Sequence, residues 1–308
     1  MPNTHDSPLS FPSPVLSVPQ LRALGESAGD RLVLLDASVI PVVPGYESLN
    51  DHSASAEWQI IPGARRFDYD KVFCDPEATL PHMMPSAGRF EREARALGLG
   101  EDSLIVVYDD AGLYASPRAW WMLKAMGHEQ VAVLSGGLRA WLSEGHSTEA
   151  VGATWRAGKQ PSGEPYAQGN FIAKPQPNAF INSTEVLAAL DDGQSKIIDA
   201  RSVARFMAQA PEPRPGVRGG HMPGSFNLPF PSVLNGAELK PEAELRLLFA
   251  ELAAKEERLV TSCGSGLTAC VLTLAAYVAG YRKLSVYDGS WADWGADASL
   301  PVVDPNNA

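Results

Sequence analysis

Val260-Thr261-Ser262-Cys263-Gly264-Ser265-Gly266-Leu267-Thr268 reads as the end of a buried strand, a short glycine-rich loop and the start of a helix. Leu259 and Val260 close an apolar run of strand type. Leu267 to Ala279 carries a helical pattern rich in Leu and Ala that Gly280 stops. A cysteine stands where the strand ends. Glycines at 264 and 266 let the backbone turn its N–H groups inward with no Cβ in the way. The following helix aims its positive end at the same bowl. Such a setting favours a thiolate at Cys263 and holds an anion attached to its sulfur. The other two cysteines lack this context. Cys270 falls in mid-helix among Leu267, Val271 and Leu274 and reads as core, and Cys74 lies in a loop before Asp75-Pro76.

Outward from this stretch, strands and helices alternate. Arg31 to Ala37 is an apolar strand ending in Asp-Ala, Arg65 to Asp68 a short strand, Ala87 to Leu97 a helix and Leu104 to Asp109 a buried strand. Ser116-Pro117 opens a helix, with Ser as N-cap and Pro in the first turn, and Val131 to Leu134 is a strand closed by Gly136-Gly137. The pattern then returns. Asp199-Ala200 echoes Asp36-Ala37, Met222-Pro223-Gly224 echoes Ile61-Pro62-Gly63, and the strand into Cys263 echoes the strand into Asp109, at offsets of 163, 161 and 154 residues. An internal duplication explains this. The fold expected is α/β, with two tandem domains that each hold a mostly parallel sheet flanked by helices. The boundaries expected are a disordered leader over 1–20, a first domain over 21–149, a linker rich in Gly, Pro, Gln and Lys over 150–178, and a second domain over 179–308. In such sheets ligands bind beyond the carboxyl ends of the strands, where Cys263 falls. The position that matches Cys263 in the first repeat is Asp109 or a near neighbour, so only the second domain is expected to be catalytic.

Composition narrows the function. The 308 residues suit about two domains, and a net charge of −11 with no basic run argues against nucleic acid or an anionic membrane surface. No apolar run reaches transmembrane length, and the N-terminus lacks the features of a targeting segment. Three widely spaced cysteines form neither a disulfide framework nor a zinc pattern, which fits a reducing compartment, and the cytoplasm is the location expected. Arg205 precedes, and Arg214 lies within, the Pro-rich loop Pro211-Glu212-Pro213-Arg214-Pro215-Gly216, which the first repeat lacks. Two guanidinium forks held by a stiff loop can grip a small carboxylate. Arg201 and Arg218 are the nearest decoys, and Arg201 is expected to pair with Asp199.

The loop Cys263-Gly264-Ser265-Gly266-Leu267-Thr268 resembles the active-site loop of the rhodanese superfamily, in its 3-mercaptopyruvate sulfurtransferase branch. Pro117-Arg118-Ala119-Trp120-Trp121, Gly136-Gly137-Leu138-Arg139-Ala140-Trp141, Glu212-Pro213-Arg214-Pro215-Gly216, Gly220-His221-Met222-Pro223-Gly224 and Tyr287-Asp288-Gly289-Ser290-Trp291 carry the resemblance from about Val33 to Val303. It implies two rhodanese-like domains and a Cys263 persulfide cradled by Gly264, Ser265, Gly266, Leu267 and Thr268. It also implies that Arg205 and Arg214 hold the carboxylate and keto end of the donor. The donor implied is 3-mercaptopyruvate. The acceptor would be a thiol, cyanide or a thioredoxin-like dithiol protein, and no metal or organic cofactor is required. Thiosulfate-using relatives carry cationic residues after the cysteine, where this chain has neutral Gly264 and Ser265, so thiosulfate is the second choice of donor. A non-catalytic persulfide carrier is the reading from another class. The related Cys-x5-Arg phosphatases need an arginine where Ala269 stands. One departure concerns the proton. The family's first domain reads His-Ile-Pro-Gly-Ala where this chain has Ile60-Ile61-Pro62-Gly63-Ala64, and that histidine has been proposed to join the loop serine, here Ser265, in a relay. Either His52 substitutes or the relay is dispensable, and the second alternative is the expectation.

Overall fold

Strands Leu32–Asp36 and Ser195–Asp199 occupy matching places in two five-stranded sheets. The structure, a computed structural model, describes residues 11–306. The first sheet runs in the order Val15–Leu16, Val131–Leu134, Leu104–Tyr108, Leu32–Asp36, Arg65–Arg66, and every pairing is parallel. The second runs Phe180–Ile181, Leu284–Tyr287, Arg258–Ser262, Ser195–Asp199, Phe226–Asn227, again all parallel. The two orders superpose strand for strand, which is the expected duplication seen in three dimensions. The central strands are buried on both faces, as their unbroken apolar runs require. The apolar core runs without a break from the first domain into the second. Helix Ser116–Ala125 of the first domain packs on helix Ala269–Val278 of the second.

The register fixes which residue matches Cys263. Asp36 pairs with Tyr108 as Asp199 pairs with Ser262, so the next residues, Asp109 and Cys263, are equivalent. The backbone agrees: Leu138 N–H donates to Asp109 O at 3.0 Å, and Trp291 N–H donates to Cys263 O at 3.0 Å.

Two expected boundaries move. Residues 1–10 of the leader lie outside the described residues. Val15 and Leu16 form the edge strand of the first sheet, and Val18–Ala28 is a helix with a Ser17/Gln20 capping box. A two-residue strand has no periodicity to read, and the Pro and Ser around it resemble a solvated leader. The linker does not begin at 150 either. Glu149–Val151 pairs antiparallel with Trp58–Ile60, and the short helix Ala153–Arg156 seats Trp155, fully buried, with its indole N–H on Ala64 O at 2.7 Å. From there the chain stays against the first domain: Phe171 N–H meets Leu99 O, and Lys174 and Gln176 bond to Met126 O and Ala125 O. Among the described residues no helix is long and apolar enough to cross a membrane.

Candidate active site

Strand Arg258–Ser262 delivers Cys263 to the carboxyl edge of the second sheet, and the loop 264–268 turns there into helix Ala269–Val278. The loop is shaped by its glycines. Gly266 has φ 77°, and a Cβ on it would lie 2.6 Å from Asp288 O and 2.9 Å from an Arg118 nitrogen. No side chain caps the helix. Among the described residues no protein acceptor takes the N–H of Gly264, Ser265, Gly266, Leu267 or Thr268. These are the donors that a sulfur-borne anion needs.

The first domain shows what such a bowl holds. Asp109, at the place of Cys263, is fully buried. Its carboxylate accepts from the N–H groups of Ala111, Tyr114, Ala115 and Ser116 and from the Ser116 hydroxyl, at 2.6 to 3.2 Å. The helix cap expected from Ser116 is therefore supplied by Asp109; Ser116 is already the first helical residue. Burial raises the Asp109 pKa to about 6 against the pull of the Ser116 and Ala115 donors. An internal carboxylate fills one cradle, and in the other a cysteine leaves the amides unengaged.

Cys263 is only 2% exposed, yet it forms part of the floor of a cleft of about 950 Å³ between the domains, with Gly264, Ser265, Leu267 and Thr268. Its own N–H is held by the Ser290 hydroxyl at 3.1 Å, which donates in turn to Tyr287 O at 2.8 Å. Ser290 adopts φ 51°, where the first domain has Gly137 at φ 54°. The left-handed conformation costs a serine about 1 kcal/mol, and here it fixes the strand end that carries the sulfur. Cys270, by contrast, is fully buried with its thiol pushed up to about 12 by burial, as a core cysteine should be. Cys74 donates its S–H to Asp70 O, and burial raises its pKa.

Arg205 and Arg214 both line the cleft. Arg205, on the short helix Val203–Phe206, is clamped by Glu212, which accepts from Nε at 3.2 Å and also from Nη2. Glu212, with a side chain only 3% exposed, also accepts from Arg201 Nη1 at 2.7 Å, on the same Oε1 that takes Arg205 Nε. Arg201 grips Asp199 through three bonds of 2.6 to 3.1 Å and stacks on Trp291, so it is structural, as expected. Arg218 donates to the carbonyls of Trp294, Gly295, Asp297 and Leu300. The plane of Arg205 is thus set against Gly264, 3.2 Å from where its Cβ would be, and Arg214 stays exposed on the rim.

Three contributors escaped the sequence reading. Glu212 and Ser290 were both legible as motif residues, but not as the clamp of Arg205 and the holder of the Cys263 N–H. Arg118, fully buried, reaches across the domain boundary to Gly266 O at 3.1 Å and Asp288 Oδ1 at 2.7 Å, and within its own domain donates to His82 O. It braces the active loop from beneath. Ile60 is fully buried and cannot titrate. His52 lines the cleft, its Nε2 2.7 Å from the Ser48 hydroxyl, which donates to Asp110 Oδ2. Burial raises the pKa of Asp110, but its bonds to His52, Ser48 and Asn50 outweigh burial and leave it below the usual carboxylate value.

Comparison with known proteins follows the same outline. The Rhodanese-like domain profile matches residues 31–144 and 182–297. The 3-mercaptopyruvate sulfurtransferase of Escherichia coli (strain K12) is 40% identical over 257 residues, 83% of this chain and 84% of that protein. The thiosulfate/3-mercaptopyruvate sulfurtransferase 2 of Arabidopsis thaliana is 35% identical over 312 residues, 96% and 88%. The crystal structure of SseA from Escherichia coli, described with the rhodanese fold, superposes with a TM-score of 0.73 at 31% identity, over 91% of this chain and 99% of that one.

Proposed function

We propose, proceeding from a chain that belongs to the rhodanese-like family and is a sulfurtransferase, that Cys263 takes sulfur from 3-mercaptopyruvate. Arg205 and Arg214 orient the donor's carboxylate and keto group so that its sulfur faces Cys263. The Cys263 thiolate attacks that sulfur, the C–S bond breaks, and its electron pair leaves on carbon as the enolate of pyruvate. A proton then closes on that carbon. Ser265 stands in the loop for this transfer, and the place of His52 on the cleft wall, backed by Ser48 and anionic Asp110, supports His52 as the proton carrier in preference to a dispensable relay. The amides of Gly264 to Thr268 hold the outer sulfur. An acceptor thiolate, of a small thiol or a thioredoxin-like protein, or cyanide, attacks it and releases Cys263. Three free cysteines suit a reducing compartment, and the cytoplasm belongs to this reading.

The observation that carries the proposal is one cleft floored by Cys263 and its unengaged amides and walled by the clamped guanidinium of Arg205. Neutral Gly264 and Ser265 favour a monoanionic donor over dianionic thiosulfate. The test supplies each donor to the purified protein with one common acceptor. Mercaptopyruvate should give the higher kcat/KM. Cys263→Ser should release no pyruvate, and release by that variant would reject the scheme. A stable added sulfur with no turnover on any small acceptor would favour a carrier module instead.

A further inference from the structure

The cleft is cationic although the chain is acidic. Five basic residues, Arg66, Lys71, Arg156, Arg205 and Arg214, line it against two carboxylates, Asp68 and Asp70, in a protein of net charge −11. Two of these charges are accounted for. Arg205 is neutralised by Glu212, and Arg66 faces Asp36 at 3.5 Å and Asp68 at 4.0 Å. Three remain without an acid within ion-pair distance among the described residues: Arg214 on the second-domain wall, and Arg156 and Lys71 on the first-domain wall.

Arg156 is the built one of the pair. It closes the short helix anchored by buried Trp155, and its Nη1 donates to Ser53 O at 2.8 Å and its Nη2 to Ala54 O. Its guanidinium sits 5.8 Å from the centre of the Trp58 ring, and Arg66 lies 5.2 Å from the same ring. Its Nε is buried with no hydrogen-bond partner among the described residues, an unusual state for a charged donor. A cleft of about 950 Å³ is at the top of the range of roughly 300–1,000 Å³ that houses drug-sized ligands, and a three-carbon donor fills a small part of it.

We propose that the first-domain wall is a carboxylate subsite for the sulfur acceptor, built on Arg156 and assisted by Lys71, and that the acceptor class it serves is a small thiol bearing a carboxylate. The inference rests on the sulfur-transfer reading above. In the step concerned, the acceptor thiolate attacks the outer sulfur of the Cys263 persulfide. That S–S bond breaks, a new one forms, and Cys263 leaves as thiolate, with no net oxidation. Fixing the acceptor's carboxylate at Arg156 orients its sulfur toward the floor.

The experiment charges the enzyme with mercaptopyruvate, removes the donor, and times discharge by 3-mercaptopropionate and by neutral 2-mercaptoethanol, each rate expressed per thiolate. The wild type should prefer the carboxylated thiol, with a preference that shrinks as salt rises. Arg156→Gln should cut the preference about tenfold, the loss expected for one charge-assisted contact, while Arg156→Lys keeps most of it. Lys71→Gln, on an exposed residue that holds no other group, should cut it about two- to threefold. A preference unchanged in both neutralised variants places the carboxylate elsewhere, at Arg205 and Arg214, and overturns the subsite. So does equal slowing with both thiols, which marks a structural role. Failure of the wild type to charge at all would instead reject the sulfur-transfer reading.

Discussion

Gly264→Ala is the most discriminating change the site offers, because it adds one methyl group against one nitrogen of the arginine proposed to hold the donor. The new Cβ would lie 3.2 Å from Arg205 Nη2 and 3.6 Å from Nη1. Gly264 has no left-handed φ, so alanine brings no backbone strain at this position. Contacts at 3.2 Å force the neighbour to yield by a few tenths of an ångström. Arg205 cannot yield freely, since Glu212 holds it by Nε and Nη2. The fork therefore tilts in its clamp, and its bond to the donor carboxylate lengthens. A charge-assisted bond contributes about 1.5–3 kcal/mol. Losing a third to a half of it amounts to about 0.5–1.5 kcal/mol, a two- to tenfold rise in KM for mercaptopyruvate. The assay is steady-state pyruvate release with a saturating acceptor, in wild type, Gly264→Ala, Arg205→Ala and the double variant. Arg205→Ala should raise KM about tenfold or more. The double variant should be no worse than Arg205→Ala alone, because the methyl group then has nothing to displace. Additive effects, or an unchanged KM in Gly264→Ala, would refute the assignment of Arg205 to the donor.

Three other expectations follow from single contacts. Gly266→Ala carries the left-handed φ and the 2.6 Å approach to Asp288 O, so it should lower stability by about 2 kcal/mol or more and abolish persulfide formation; thermal melting and pyruvate release read the two effects. Arg118→Met leaves Asp288 unpaired beneath the loop, and a broken buried pair costs about 3–5 kcal/mol; a variant as stable as wild type in urea would show that the brace is idle. The third concerns pH. The folded pKa of Asp109 is raised from 3.8 to about 6, so its ionised form costs stability above that pH and the cost fades as protons return. Relative to Asp109→Asn, which does not titrate, the wild type should therefore gain about 1 kcal/mol in urea unfolding between pH 7 and pH 5. A gap that is constant or moves the other way contradicts the buried carboxylate.

Much of this was readable in the sequence where the signal is local. The strand into Cys263, the glycines after it and the apolar helix lie within twenty residues of one another, and the parallel sheets follow from strands that alternate with helices. Arg201 and Cys270 were assigned structural roles on their neighbours alone, and their contacts match. What the sequence hid is long-range. Glu149–Val151 pairs with Trp58–Ile60 across most of the first domain, so the domain's last strand reads as linker. Arg118 and Asp288 meet across 170 residues. Ser290 occupies a conformation that a sequence reader assigns to glycine.

The two halves of the chain explain each other. Both carry the same strand, turn and helix, and both turns expose a bowl of amides at a helix start, so the bowl by itself is not the function. The first domain closes its bowl with Asp109, whose five donors make it an internal cap joining strand Leu104–Tyr108 to helix Ser116–Ala125. That closure makes the first domain a stiff wall, and the wall is used: Arg118 rises from the very helix Asp109 caps and props Gly266. In the second domain a cysteine replaces the carboxylate, the amides are left unengaged, and a clamped arginine stands beside them. Asp109→Asn should consequently weaken not only the first domain but the loop of the second. Charging of Cys263 should slow in that variant although the substituted residue is no part of the cleft lining. Undiminished charging in a variant shown to be destabilised would mean that the second domain holds its loop unaided, and the coupling through Arg118 would have to be abandoned.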